Sequence, residues 1–247
     1  MIEFHGLTKQ FGTLTAVDRL DFNIEPGTVF GFLGPNGAGK TTTLKMLMGM
    51  LPPSQGWARI DGLDVTREAV EVKRRVGFLP DTPALYEYLT ARELLQFIGT
   101  LHRLPRPEMD ARIERLLGDF ALAEKADELV LNYSKGMKKK LAILVALIHR
   151  PRVLLLDEPT NGLDPGAVRM LKDMVRREAA AGTTILFSTH ILEVAQEVCT
   201  HLGIISSGRM VLLEPKETIV TRAGGAGQTL EDLFLQLTGQ SKGPAAE

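Results

Sequence analysis

The sequence predicts an α/β fold: a mainly parallel sheet flanked by helices, with an antiparallel β subdomain and an inserted helical subdomain. Three observations carry that prediction. First, Gly34-Pro35-Asn36-Gly37-Ala38-Gly39-Lys40-Thr41-Thr42 joins an apolar run, residues 28–33, to a stretch with Leu44, Leu47 and Met48 on one helical face. Second, short apolar runs at 153–156, 183–187 and 202–206 are separated by helical patterns over 167–179 and 191–198. Strands alternating with helices imply a parallel sheet covered on both faces. Third, residues 90–149 change to helical spacing, as in Leu94, Leu95 and Ile98, then Ile113, Leu116 and Leu117, then Leu141, Leu144, Val145 and Ile148.

The elements follow in order. Residues 2–4, 20–24 and 28–33 read as strands, with Pro26-Gly27 turning between the last two. A strand pair is expected around 57–60, between the breaker cluster 52–56 and Asp61-Gly62, and with the first strands it makes an antiparallel sheet beside the core. Core and β subdomain span about 1–81 and 151–215, the helical insertion about 82–150, and a C-terminal helical extension about 216–239. Residues 230–239 form an amphipathic pattern with Gly239 as its stop. Residues 240–247 are expected to fray as a tail.

Composition is that of a globular chain: 247 residues, 44% hydrophobic and 24% charged. A net charge of −1 gives no general attraction to polyanions, so no nucleic-acid partner is expected. Cys199 is the only cysteine and reads as a small buried hydrophobe. No signal peptide is visible at the N-terminus, and no apolar run approaches the roughly 20 residues needed to cross a bilayer.

The segment 34–42 fits G-x-x-x-x-G-K-[ST], which makes the predicted core that of a P-loop NTPase. Its glycines let backbone N–H groups close around phosphate oxygens at a helix N-terminus. Lys40 is expected to reach the β- and γ-phosphates, and the Thr41 hydroxyl to complete the shell of Mg²⁺.

Val153-Leu154-Leu155-Leu156-Asp157-Glu158 is an apolar strand ending in two carboxylates. Asp157 is the candidate Mg²⁺ ligand opposite Thr41; Glu158 is the candidate base for the attacking water, on the other side of the strand. His190 follows the next strand on the same rim, within reach of a γ-phosphate. His5, His102, His149 and His201 hold no comparable position and read as surface or packing residues.

With these residues placed, residues 1–215 resemble, in motif order, the nucleotide-binding subunit of an ABC transporter. Phe11, in Lys9-Gln10-Phe11-Gly12, matches the aromatic that stacks on adenine, a contact worth about 1–3 kcal/mol; a core Phe is the other reading. Tyr133-Ser134-Lys135-Gly136-Met137 occupies the place of the signature sequence LSGGQ in a form similar to that of ABC-2-type bacterial exporters, keeping Ser134 and Gly136. Lys138-Lys139-Lys140 beside it reads as a solvated helix face. Asn161-Gly162-Leu163-Asp164 resembles the D-loop that meets a second subunit. Asp81 stands where the family usually has Gln, which implies metal sensing through water. Leu85, Tyr86 and Tyr88 fall where a membrane partner docks, with packing inside the helical lobe as the alternative.

The resemblance implies ATP and Mg²⁺ as ligands, and two chains, identical or not, stacked head to tail so that each ATP meets one phosphate loop and the other chain's signature sequence. It further implies an integral membrane permease, export, and a peripheral place at the cytoplasmic face of the cell membrane. A soluble ATP-driven clamp acting on DNA or ribosomes shares the core, but normally carries a long coiled coil or two copies of each motif, and the sequence has neither.

Overall fold

The computed structural model describes residues 1–225 and 229–239; the tail expected at 240–247 lies outside the described residues. The first half runs β1 (Ile2–Phe11), β2 (Leu14–Ile24), β3 (Val29–Leu33), α1 (Lys40–Leu47), β4 (Gln55–Ile60), β5 (Leu63–Asp64), α2 (Ala69–Arg75) and β6 (Val76–Leu79). Three helices follow: α3 (Ala91–Leu101), α4 (Arg106–Asp119) and α5 (Lys135–Leu147). The chain then forms β7 (Val153–Asp157), α6 (Pro165–Ala180), β8 (Thr184–Thr189), α7 (Leu192–Val198), β9 (His201–Ser206), β10 (Arg209–Pro215), α8 (Lys216–Gly225) and α9 (Leu230–Thr238).

One sheet has the order β10-β9-β3-β8-β7-β6, parallel except for β10 against β9. The other is antiparallel, β2-β1-β4-β5. Strands β3, β7 and β8 are buried along their whole length, as expected of parallel strands covered on both faces. Alternation along them divides the core in two. Phe30 and Phe32 face the antiparallel sheet, where Phe22 stacks between Phe4 and Phe30, and Val153 and Leu155 join the same cluster with Leu44, Met46 and Leu47 of α1. Leu154, Leu156 and Phe187 face the other way, onto the insertion helices, where Leu94, Leu95, Ile113, Leu116, Leu117, Leu141 and Leu144 are all buried. Asp157 continues the Val153–Leu155 face, which puts its carboxylate beneath α1.

Several elements depart from the expected ones. The first strand runs to Phe11 rather than ending at Phe4, in a hairpin that turns at Gly12 with φ +57°. Residues 76–79, which are absent from the strands expected above, are a strand paired in parallel with β7; four residues including Gly77 are too short for a periodic signal. The run 138–140 is not one solvated face, because Lys139 is buried. The C-terminal helix closes at Gly239 with φ +69°, as expected, and Leu230 and Phe234 bury themselves in the main core, so α9 caps the domain.

One packing detail carries a pH dependence. His149, just past α5, donates from Nε2 to the Val76 carbonyl at 3.1 Å and stacks on His102 with ring centroids 3.8 Å apart. Its Nδ1 is buried without a partner. Burial, then the neighbouring His102, pushes the His149 pKa down from 6.5 to about 4. The unfolded chain gains this proton near pH 6.5 while the fold refuses it until about pH 4, so the stabilisation is full above pH 6.5 and lost as pH falls from 6.5 to 4. Urea unfolding at pH 7.0 and 4.5 is expected to show a loss of up to about 3 kcal/mol from this residue. His149→Gln should remove most of that slope; an unchanged slope would assign it elsewhere.

Candidate active site

The phosphate loop joins β3 to α1. Gly37 (φ +80°) and Gly39 (φ +107°) hold left-handed conformations that bend the chain into a cradle, and Gly39 is the N-cap of α1 with no side chain capping the helix. The first-turn amides are thereby left for a ligand. A cavity of about 350 Å³ opens over them, lined by Pro35, Asn36, Gly37, Gly39, Lys40, Thr41 and Thr42. Gly34 and Ala38 lie behind this lining; the Gly34 carbonyl accepts from Lys40, and Ala38 is buried.

Lys40 is 5% exposed, and its Nζ donates to the carbonyls of Gly34 at 2.6 Å and Pro35 at 3.2 Å. It also lies 3.2 Å from Glu158 Oε1, close enough for an ion pair but not aligned as a hydrogen bond, so that buried oxygen keeps an unfilled acceptor site. Thr41 Oγ1 donates to Asp157 Oδ2 at 2.7 Å across the gap between α1 and β7. Ser188, buried at the end of β8, donates to Asp157 Oδ1 at 2.6 Å and fixes the second oxygen. No sequence motif marked Ser188: it is one small polar residue in an apolar strand.

Glu158 does not sit opposite Asp157 by simple strand alternation. The strand ends at Asp157, and Glu158 takes φ +44°, an uncommon left-handed conformation for a residue with a side chain. Its amide faces Ser188, at 3.1 Å from the carbonyl oxygen and 3.2 Å from Oγ. This turn aims the carboxylate into the cavity, where Oε2 lies 3.0 Å from His190 Nδ1 while Oε1 faces Lys40. His190 and Glu158 both line the cavity. Lys40, Thr41, Asp157, Glu158 and His190, chosen from separate stretches of sequence, thus meet at one rim.

Asp81 lines the same cavity, where its Oδ1 accepts from Asn161 Nδ2 at 3.0 Å. Its carbonyl accepts from the buried Lys139 Nζ at 2.7 Å, which ties the end of β6 to α5. Asn161 and Lys139 therefore belong to this neighbourhood, although the sequence offered one as part of a loop motif and the other as a surface cation. Ala16 also lines the cavity, and the β1–β2 hairpin continues past it to Phe11. Phe11 is 48% exposed, which excludes the core reading, and Lys9 Nζ lies 5.2 Å from its ring.

Ser134 and Gly136 are not brought to this cavity. Ser134 caps α5 by accepting from the Met137 amide, and the neighbouring hollow of about 640 Å³ is lined by Asp81, Tyr133, Lys135 and Asn161 among others. Asp164 caps α6 through the Ala167 amide. Tyr88 is exposed at 82% and stays outside the helical lobe; Tyr86, 62% exposed, rests edge-on against Phe97 of α3 at the lobe's surface, and Leu85 packs against the core.

With this geometry in view, a profile described as ABC transporter matches residues 17–161. The chain belongs to the ABC transporter family. It is similar to the linearmycin resistance ATP-binding protein of Bacillus subtilis, 34% identical over 96% of this chain and 75% of that one. A daunorubicin resistance ATP-binding protein of Streptomyces coeruleorubidus is 39% identical over 91% of this chain and 71% of its own length. A solved structure of the ATP binding subunit of an ABC transporter superposes with a TM-score of 0.90 at 32% identity, covering 96% of this chain and 99% of that one. This is an ATP-binding subunit of the ABC exporter type, in a family that hydrolyses ATP to power transport. Among the described residues no helix is long and apolar enough to cross a membrane.

Proposed function

We propose that two copies of this subunit, or one copy and a close relative, close around ATP and Mg²⁺ to drive a membrane-spanning exporter from the cytoplasmic face of the membrane. The observation that carries this reading is Glu158: a buried carboxylate held between Lys40 and His190, with one oxygen lacking any hydrogen bond. An unsatisfied buried acceptor beside an open phosphate cradle suits a site whose missing partner is a water molecule on substrate.

The residues also suit the metal. Among the described residues no cluster of three or more His, Cys, Asp or Glu could hold an ion unaided. Mg²⁺ keeps several waters and takes phosphate oxygens together with one or two protein oxygens, and Thr41 Oγ1 and Asp157 Oδ2 already converge within 2.7 Å. Bound there, it would offset the charge on the transferring phosphate.

On nucleotide binding, Lys40 is expected to leave the carbonyls of Gly34 and Pro35 for the β- and γ-phosphates. Oε1 of Glu158 is then free to accept a hydrogen bond from water. That water attacks the γ-phosphorus, the bond to the bridging oxygen breaks, and the water's proton passes to Glu158. His190 holds Glu158 through Nδ1, which leaves Nε2 for the γ-phosphate. Phe11, exposed beyond Ala16, is assigned to the adenine ring.

Ser134 and Gly136 are assigned to the ATP of the second copy, since in their own chain they do not reach the cavity that holds Lys40. The exposed Tyr86 and Tyr88 are assigned to the membrane subunit. Aromatic side chains of this kind are typical anchors of protein interfaces. Several related ATP-binding proteins are named for drug or antibiotic resistance or for Nod factor export, which favours export here.

Asp81 links the cavity to the helix that carries Ser134, because its carboxylate holds Asn161 and its carbonyl holds Lys139. The test is ATP turnover of this subunit purified with and without the membrane protein that accompanies it. The membrane protein should stimulate turnover, and Asp81→Ala should lower the stimulated rate several-fold. Stimulation that is absent, or untouched by that substitution, would contradict this coupling.

A further inference from the structure

At the opposite end of the central strands from Asp157 and His190, before β7 and β8 begin, lies a cavity of about 430 Å³ lined by Arg112, Arg115, Arg150, Arg152, Arg177 and Glu178 among others. Five guanidinium groups around one hollow exceed what structural ion pairing requires. Arg150 pairs with Glu108 at 2.8 Å and Arg177 with Asp119 at 2.9 Å, but Asp61 is shared between Arg152 at 3.0 Å and Arg75 at 2.6 Å. Arg115 is exposed and has no carboxylate partner among the described residues.

Arg112 is the strongest part of this cluster. It is 6% exposed, and it donates from Nε to the Ile148 carbonyl at 2.8 Å and from Nη2 to the Leu147 carbonyl at 2.6 Å. These bonds satisfy the C-terminal carbonyls of α5 and lock the guanidinium in place, while Nη1 has no hydrogen-bond partner among the described residues. Among the described residues no carboxylate lies within ion-pair distance of it. Burial, together with the positive charges of Arg115, Arg150 and Arg177, pulls its pKa below the usual guanidinium range to about 10 even though Glu178 opposes the shift. The α5 carbonyls and Glu178 offset part of this cost, and an anion in the cavity would relieve the repulsion that remains.

We propose that this cavity binds a compact phosphate group carrying at least two negative charges. Planar guanidinium forks match phosphate oxygens two at a time, and the volume lies within the usual range for small-ligand pockets. An extended polyanion such as nucleic acid fits less well, because Asp61, Glu108, Asp119 and Glu178 ring the arginines and would repel a backbone running across them. The group sits on either a free small molecule or the headgroup of an anionic lipid, and both present the same chemistry. The inference is independent of the nucleotide site, with which this cavity shares no lining residue.

Inorganic pyrophosphate is the probe, titrated by calorimetry into the chain without nucleotide or Mg²⁺. Two binding classes are expected, one at the phosphate loop and one at the arginines. Arg115→Ala with Arg150→Ala, both exposed positions, should weaken the second class at least tenfold and leave the first, which also verifies the fold. Lys40→Ala should do the reverse. Sedimentation with phosphatidic acid vesicles, against phosphatidylcholine alone, separates the sources: binding to vesicles that the double variant loses, without a second pyrophosphate class, assigns the phosphate to a lipid. A single pyrophosphate class that vanishes in Lys40→Ala, with vesicle binding absent or indifferent to the arginines, would overturn the proposal.

Discussion

Glu158→Gln is expected to lower the ATP turnover number by about 10²–10⁴-fold, the range over which a positioned general base contributes, while leaving ATP binding nearly intact. The reason is geometric. Gln matches Glu in length and shape, so the left-handed turn at residue 158 and the contact with His190 can persist, but an amide cannot take the proton of the attacking water. On the proposed reading binding rests on other groups: the loop amides, Lys40, Thr41 and Asp157 lie at the phosphate loop, on α1 and at the end of β7 and do not need a charge at 158. The signature of the account is therefore a fall in kcat with little change in nucleotide Kd. Turnover within twofold of the parent would show that another group activates the water.

Lys40→Ala should produce the opposite pattern of losses, in binding as well as in rate. Its Nζ is the one ammonium placed at the cavity floor among the loop residues, held by two carbonyls of the loop itself and by Glu158. Without it the transferring phosphate loses a direct cation, which removes about 3–4 kcal/mol of transition-state stabilisation, or roughly 10²–10³ in kcat/KM. Glu158 also loses its buried countercharge and faces incoming phosphate as an unscreened anion, so nucleotide Kd should rise at least tenfold. Arginine should not rescue: a planar guanidinium is too large for a buried site built around a single ammonium. Steady-state kinetics together with nucleotide titration separate the two effects. ATP affinity unchanged in Lys40→Ala would remove this residue from the phosphate site.

The core of the site was legible because its residues sit where local pattern is strong. A glycine loop between a buried strand and a helix, and an acidic pair after four apolar residues, each carry their context in adjacent sequence. Those two segments and His190 are brought together by β3, β7 and β8, and parallel register alone puts their ends on one rim. What escaped reading depends on contacts between distant residues. Ser188 is an ordinary serine until Asp157 is placed beside it, and Lys139 is one of three consecutive lysines until the carbonyl of Asp81 is seen to receive it. Strand β6 is too short to show a period, and the conformation of Glu158 is set by the turn after β7 rather than by any composition. The five arginines lay scattered over 66 residues of sequence, from 112 to 177, with no spacing to mark them as neighbours.

The central claim is that ATP joins two copies, each supplying half of the enclosure. Its most direct test is sedimentation of the Glu158→Gln chain, 27.1 kDa as a single copy for the parent sequence, at saturating Mg-ATP and without nucleotide. The account predicts a species of twice that mass with Mg-ATP, reverting to one copy when nucleotide is removed. A single copy at saturating Mg-ATP, both alone and in the presence of the membrane subunit and any related ATP-binding chain that accompanies it, would contradict it.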